Sequence, residues 1–492
     1  MLTSIGKRIL IGSGITLLSL IISRAMVFLN NIIAARLLTP NDFGTLSIVM
    51  NLQNLAVIIG CFGAPLAMTR YVSHWRNRDI SIARAFGSLL LYVTLISSFA
   101  TAIGFLLISS TIASQLYGVP GMTMVLRLSA AFIILSSLNL VLSSLLQGNQ
   151  KIKTLAKINA LVAITWQPVA LISIAVLGVE GAVLAMILSN FISVLVLVLV
   201  SRDFLLMNFS HSLAKTKLKR ERGLFFSFLV PAFLSSLVIA PAYWIGRTIL
   251  AIDWNFYLLG QYSVAESLSQ IMLVIPAAVS IPLLPLLTEQ HSINPLEMGK
   301  ITERLIKIVV LLMLPLTLFL FPFLSIAINF LYGESYSAAF YPAILMFAAS
   351  ALASVGSIVS NVIFGIGRMW HALILNLFWV IVYISFVIVI VPSQGSIGLA
   401  SVYLISYALY VIAFLLYFKR EIGIKPFGSI ITILLYSGFA FFFLTIISDR
   451  KWMVYATPIA IIFAIILGIT IYRFLLTTED RNYVKRLLTN RI

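Results

Sequence analysis

The chain is 492 residues long, 61% hydrophobic and only 10% charged, with a mean hydropathy of +1.09. No water-soluble core needs so much apolar surface, so the composition excludes a soluble globular protein and predicts an all-α polytopic membrane protein. The formal net charge of +18 would suggest nucleic acid in a soluble chain, but here it must first be divided between two membrane faces.

Windowed hydropathy predicts about fourteen spans. They fall near 9–35, 43–68, 85–113, 122–147, 156–177, 180–200, 224–250, 258–287, 305–330, 338–364, 371–391, 396–418, 428–447 and 453–474. The first is too long for a signal-peptide core and is expected to be retained. Arg24 sits near its middle, on the helical face that also carries Phe28 and Asn31. A guanidinium at that depth should face a partner or a watery cavity, which makes it a candidate functional group. The turn that follows, Leu38 to Gly44, reads as a tight hairpin bracketed by Pro40 and Gly44, with Asn41 or Asp42 expected to cap the second helix.

With the N-terminus inside, loops after even-numbered spans are cytoplasmic. Together with Lys7, Arg8 and the C-terminal tail they hold 27 of the 33 basic residues. The opposite face has only Arg36, Arg247, Arg450 and Lys451, and Arg24 and Arg127 lie within spans. The asymmetry places both ends in the cytoplasm and assigns most of the basic excess to topology and anionic lipid headgroups. No nucleic-acid partner is expected.

An internal repeat is visible. LYG at Leu116–Gly118 recurs at Leu331–Gly333, GNQK at Gly148–Lys151 is answered by GIGR at Gly365–Arg368, and GVEGAVLA at Gly178–Ala185 by GSIGLASV at Gly395–Val402. Upstream, FGTLS at Phe43–Ser47 parallels LGQYS at Leu259–Ser263, so the four offsets are 215, 217, 217 and 216 residues. The pattern predicts two parallel six-helix lobes, residues 1–210 and 211–425, packed about an axis along the membrane normal with a cavity between them. Residues 426–492 add two further helices and a basic cytoplasmic tail, and the basic Arg202–Arg222 stretch links the lobes.

The stretch ARLLTPNDFGTLSIVMNLQNL, Ala35 to Leu55, resembles the polysaccharide transporter (Wzx-type flippase) branch of the MATE-like multidrug/oligosaccharidyl-lipid/polysaccharide exporter superfamily. Members of that branch have an arginine-bearing first helix and an "ARLLGPxxFG" turn, and here Thr39 replaces the common glycine. The resemblance implies a MATE-like fold in the cell inner membrane and no enzymatic activity. It also implies a polyprenyl-diphosphate-linked oligosaccharide, an O-antigen or exopolysaccharide repeat unit, as cargo flipped by alternating access. Polysaccharide polymerase and chain-length proteins are the implied partners.

Such a cargo asks for cations to pair with phosphate and for amides and hydroxyls to meet sugar. Arg24 is the first candidate for the phosphate, with an internal ion pair as the alternative. Arg247 is the second, with snorkelling to the outer interface as its alternative. Arg127 reads as a snorkelling residue and Arg36 as a turn residue. Amides at membrane depth are Asn31, Asn51, Gln53, Asn54, Asn139, Gln167, Asn190 and Gln270. Bonding between helices is their usual role; Asn31, Asn54 and Gln270 are favoured for sugar. Glu266 is either an internal partner for a buried arginine or an ion-coupling group. Asp42 and Asp253 read as caps.

The four histidines, His74, His211, His291 and His371, have no metal-ligand spacing, and Cys61 stands alone in an apolar run. There is no phosphate-binding loop or dinucleotide fingerprint, so no cofactor and no catalytic constellation is expected. Two rival readings stand beside the flippase. A cation-coupled multidrug exporter of the same superfamily needs a buried acid, and Glu266 is the one available. A membrane-embedded glycan polymerase or ligase needs large outer loops, and the predicted outer loops are short.

Overall fold

A computed structural model describes residues 24–76, 78–205, 222–274, 295–366, 369–422, 427–448 and 453–475. The first half of predicted span one, most of the linker, the end of span eight, His211, His291, Arg368, Lys425, Arg450, Lys451 and the tail from Arg481 lie outside the described residues. Among the described residues nearly all are helical and none is in a strand.

Helix α1 covers 24–37. It is followed by α2 (Pro40–Cys61), α3 (Ala64–Trp75), α4 (Ile80–Thr111), α5 (Met122–Gly148), α6 (Ile152–Leu205), α7 (Arg222–Asp253) and α8 (Phe256–Ser269). Then come α9 (Pro295–Leu320), α10 (Leu324–Leu331), α11 (Phe340–Ile366), α12 (Met369–Ile422), α13 (Phe427–Ser448) and α14 (Met453–Thr470). Nine stretches among the described residues are long and apolar enough to cross a membrane.

The stretch predicted as one span at 43–68 is broken. Phe62 and Gly63 both adopt left-handed backbone, φ 47° and 73°, and Pro65 opens the next helix. The local signal is Gly63-Ala64-Pro65, a helix stop followed by a helix start.

The α6 and α12 stretches are each 54 residues long, about 80 Å if straight, far more than a bilayer. Each is a hairpin. The backbone leaves the helix at Gly178 (φ 57°, ψ −129°) and at Gly395 (φ 58°, ψ −132°). A Cβ on Gly181 would lie 1.8 Å from the Ser173 carbonyl oxygen, and one on Gly398 would lie 3.0 Å from that of Ile390. In a straight helix residues eight apart would be about 12 Å apart, so the chain doubles back. These are the two glycines of each repeated GVEG and GSIG landmark, and the two hairpins match end to end at an offset of 217 residues.

The chain forms two compact units, Met1–Gly260 and Gln261–Ile492. In the first, α5 packs along α2, α3, α4 and α6, while α7 lies on α2 and α3; Phe62 and Phe233 meet at 4.6 Å between ring centroids. In the second, α11 packs on α9, α12 and α13, and α14 on α9. These units and the repeat halves therefore divide the sequence at different points, because α7 and the first turn of α8 belong by packing with the helices before them.

Candidate functional site

The first two helices meet at a turn of two residues, Leu38 and Thr39. Thr39 is the N-cap of α2: its hydroxyl oxygen accepts from the Asp42 backbone N–H at 3.2 Å and its hydroxyl donates to the Asp42 carboxylate at 2.7 Å. The first of these is the N-cap bond proper; the second ties the third-position carboxylate to the cap's own hydroxyl. The cap is thus Thr39, with Asp42 as its third-position partner, in place of the expected Asn41 or Asp42. At the start of α8, the Asn255 side-chain oxygen accepts from the Leu258 N–H at 2.8 Å, so Asn255 caps that helix and Asp253 does not. Thr39 and Asn255 are 216 residues apart. The same offset carries the end of α1 onto the end of α7 and the start of α2 onto the start of α8.

Gly44, expected to close the turn, lies instead at a helix crossing. A Cβ on Gly44 would lie 2.0 Å from the Phe256 carbonyl oxygen, and one on Gly260 would lie 2.1 Å from that of Pro40. The first turns of α2 and α8 cross here with backbone against backbone, which only glycine permits.

Arg24 and Asn54 are exposed and each stands fifteen residues from Thr39, about 22 Å along its own helix. Asn31 and Arg247 are half-buried and stand eight residues from their caps, about 12 Å along. In the second unit Glu266 is half-buried and Gln270 exposed. Four of these candidates pair under the repeat. Asn31 and Arg247 are 216 residues apart, as are Asn54 and Gln270, and each pair shares its degree of exposure. Arg24 has buried Ala240 as its counterpart. Arg127 is exposed near the start of α5, and Arg36 is exposed at the end of α1.

Gln53, Asn139 and Asn190 bond between helices. Gln53 donates to the Ser129 hydroxyl at 2.8 Å, and Asn139 donates to the Asn190 side-chain oxygen at 3.0 Å. The Asn190 side chain donates in turn to the Met186 carbonyl at 2.9 Å.

One polar cluster was not singled out from the sequence. The Tyr117 hydroxyl lies 2.8 Å from the Thr248 hydroxyl and accepts from the Trp244 indole N–H at 3.0 Å, tying the end of α4 to α7 beside Arg247. Tyr332, its counterpart in the second LYG, donates to the Ser267 hydroxyl at 3.3 Å. Burial pushes both phenols up, that of Tyr332 to about 12, so both remain protonated donors at neutral pH. The repeated LYG was the available signal, but its tyrosines carried no assigned role.

Residues 33–341 match the model of a family described as polysaccharide biosynthesis protein. The chain belongs to this family. No curated protein matches it in sequence. Among solved structures, the inward closed conformation of the lipid II flippase MurJ superposes with a TM-score of 0.65 at 14% identity, covering 94% of this chain and 99% of the other. An inward-facing multidrug resistance MATE transporter of the MOP superfamily gives 0.64 at 16%, covering 84% and 98%. A MOP superfamily transporter from Pyrococcus furiosus gives 0.64 at 18%, covering 84% and 95%. The fold of this family member is accordingly MATE-like, and its long apolar helices make it a multi-pass membrane protein.

Proposed function

We propose that the protein is a flippase that carries a polyprenyl-diphosphate-linked oligosaccharide outward across the cytoplasmic membrane by alternating access. The observation that carries this reading is the recurrence of polar side chains at matching positions and matching exposure in both copies of the repeat, Asn31 with Arg247 and Asn54 with Gln270. Lipid tails satisfy neither a carboxamide nor a guanidinium, so such groups belong on a watery path. Arg24 is the proposed inner cation for the diphosphate and Arg247 the outer one, with the amides meeting sugar. Membership of a polysaccharide biosynthesis family supports a glycan over other anionic lipids. The excess of basic residues in the loops after even-numbered spans supports a cytoplasmic side for both termini. Membrane lipids and the polymerase and chain-length proteins of polysaccharide assembly are the proposed partners.

The test is Arg24→Glu and Arg24→Lys in a strain lacking the chromosomal copy. Charge reversal is expected to abolish surface polysaccharide at unchanged membrane level, and the lysine variant to retain part of it. Wild-type polysaccharide from Arg24→Glu would refute the role. Half-buried Glu266 keeps one second reading in play, cation-coupled drug export. Under that reading, expression raises drug tolerance in a sensitised strain and Glu266→Gln removes the gain.

A further inference from the structure

We propose that the crossing of α2 and α8 at Gly44 and Gly260 is the outer gate of the transporter, a backbone-on-backbone seal that parts and recloses in each cycle. The contact maps onto itself under the repeat. A methyl carbon on Gly44 would lie 2.0 Å from the Phe256 carbonyl oxygen and 3.0 Å from the Gly260 nitrogen, and one on Gly260 would lie 2.1 Å from the Pro40 carbonyl oxygen and 3.4 Å from the Gly44 nitrogen. Adding 216 turns Pro40 into Phe256 and Gly44 into Gly260. The contact is therefore isologous, the same two-turn patch meeting itself, as at a two-fold interface.

Its position suits a gate. Both helices begin here, directly after the capped turns at Thr39 and Asn255, on the face of the membrane that the charge asymmetry assigns to the outside. Its chemistry suits one too. Where helices of the first unit interlock through side chains, as where Tyr71 stacks on Phe86 at 4.9 Å, separating the surfaces means disengaging packed side chains. At Gly44 and Gly260 no side chain is interposed. Two helix backbones in contact can separate without any rotamer change and return to one register, which their reciprocal geometry fixes. A methyl group on either glycine would have to displace a carbonyl by more than about 1 Å, so it acts as a wedge at this point.

The gate rests on the transport reading for its direction but not on the cargo, so it is tested without cargo. Cys61 is replaced by alanine, Asn54 by cysteine, and the protein is placed in right-side-out vesicles with a membrane-impermeant maleimide outside. Gly44→Ala and Gly260→Ala are each expected to speed labelling at least five-fold, and the double variant no further, because both wedge one gap. Unchanged labelling in both single variants at wild-type membrane levels overturns the gate. Should the alanine variants fail to accumulate, spin labels at the exposed positions Asn41 and Tyr257, in the Cys61→Ala protein with both glycines intact, decide it. A gate gives two distance populations in lipid nanodiscs; one narrow population under all conditions makes the crossing a fixed pivot and overturns the proposal. Loss of polysaccharide specificity with normal gating would instead remove the cargo assignment and leave the gate standing.

Discussion

The two helical hairpins offer a controlled experiment, because the repeat supplies each perturbation twice. Gly178 and Gly395 hold nearly the same backbone, φ 57° and ψ −129° against φ 58° and ψ −132°. An alanine held in this sparsely populated region costs on the order of 1–3 kcal/mol. Since the dihedrals match, Gly178→Ala and Gly395→Ala should cost nearly the same. The neighbouring glycines should not behave alike. A methyl on Gly181 meets the Ser173 carbonyl at 1.8 Å, whereas on Gly398 it meets Gln394 Cβ at 2.9 Å and the Ile390 carbonyl at 3.0 Å. Overpacking costs about 1–3 kcal/mol, so Gly181→Ala belongs at the upper end and Gly398→Ala at the lower. Thermal unfolding followed by tryptophan fluorescence in detergent, at one fixed scan rate because membrane proteins unfold irreversibly, reads the order directly. The expected midpoints fall by a few degrees, equally for Gly178→Ala and Gly395→Ala, and further for Gly181→Ala than for Gly398→Ala. Wild-type midpoints for Gly178→Ala and Gly395→Ala, or a larger fall for Gly398→Ala than for Gly181→Ala, would refute the hairpin geometry.

Thr39→Ala should cost about 1 kcal/mol of stability by removing the cap of α2, while Thr39→Gly should cost only a few tenths; denaturation midpoints of the two variants, measured side by side, check the difference. Tyr117→Phe strips the Trp244 indole of its acceptor and Thr248 of its partner, for a loss of about 1–3 kcal/mol. Tyr332→Phe gives up one long bond to Ser267 and should lose less. Equal midpoints for the two phenylalanine variants would contradict the network at Tyr117.

Much of the architecture is legible in the sequence because the bilayer imposes one strong rule, that a spanning backbone must satisfy itself in helices. Apolar runs therefore locate helical stretches, though not the breaks inside 43–68 and 305–330, and the repeat marks where hairpins turn. The first turn is less legible. Residue type assigns Asn41, Asp42 and Gly44 to it, yet capping depends on which residue leaves the helix, and that is Thr39. Gly44 is needed for close approach to a helix more than two hundred residues away, which local sequence does not record. The break at Phe62 is hidden by unbroken hydropathy. For the candidate site, residue type identifies polar groups at depth, but hydropathy treats every amide alike. Only coordinates separate Gln53 and Asn139, whose bonds tie helices together, from exposed Asn54.

The repeat also sharpens what the cations do. Arg24 and Arg247 stand about 22 Å and 12 Å along their helices from the turns at Thr39 and Asn255, and each has a non-basic counterpart, Ala240 and Asn31. One copy thus holds its charge about 10 Å farther along its helix from the turn than the other does. If Arg247 matters for its place along the helix and its charge, the guanidinium should be movable between copies. Arg247→Asn alone is predicted to cut surface polysaccharide at least ten-fold, and adding Asn31→Arg should recover most of it, because the equivalent half-buried position restores a guanidinium at the same level. A double variant no better than Arg247→Asn, with both proteins present at wild-type membrane levels, would mean that Arg247 acts through its own surroundings beside Thr248 and Trp244. The repeat would then be a similarity of backbone that the two copies do not share in their chemistry.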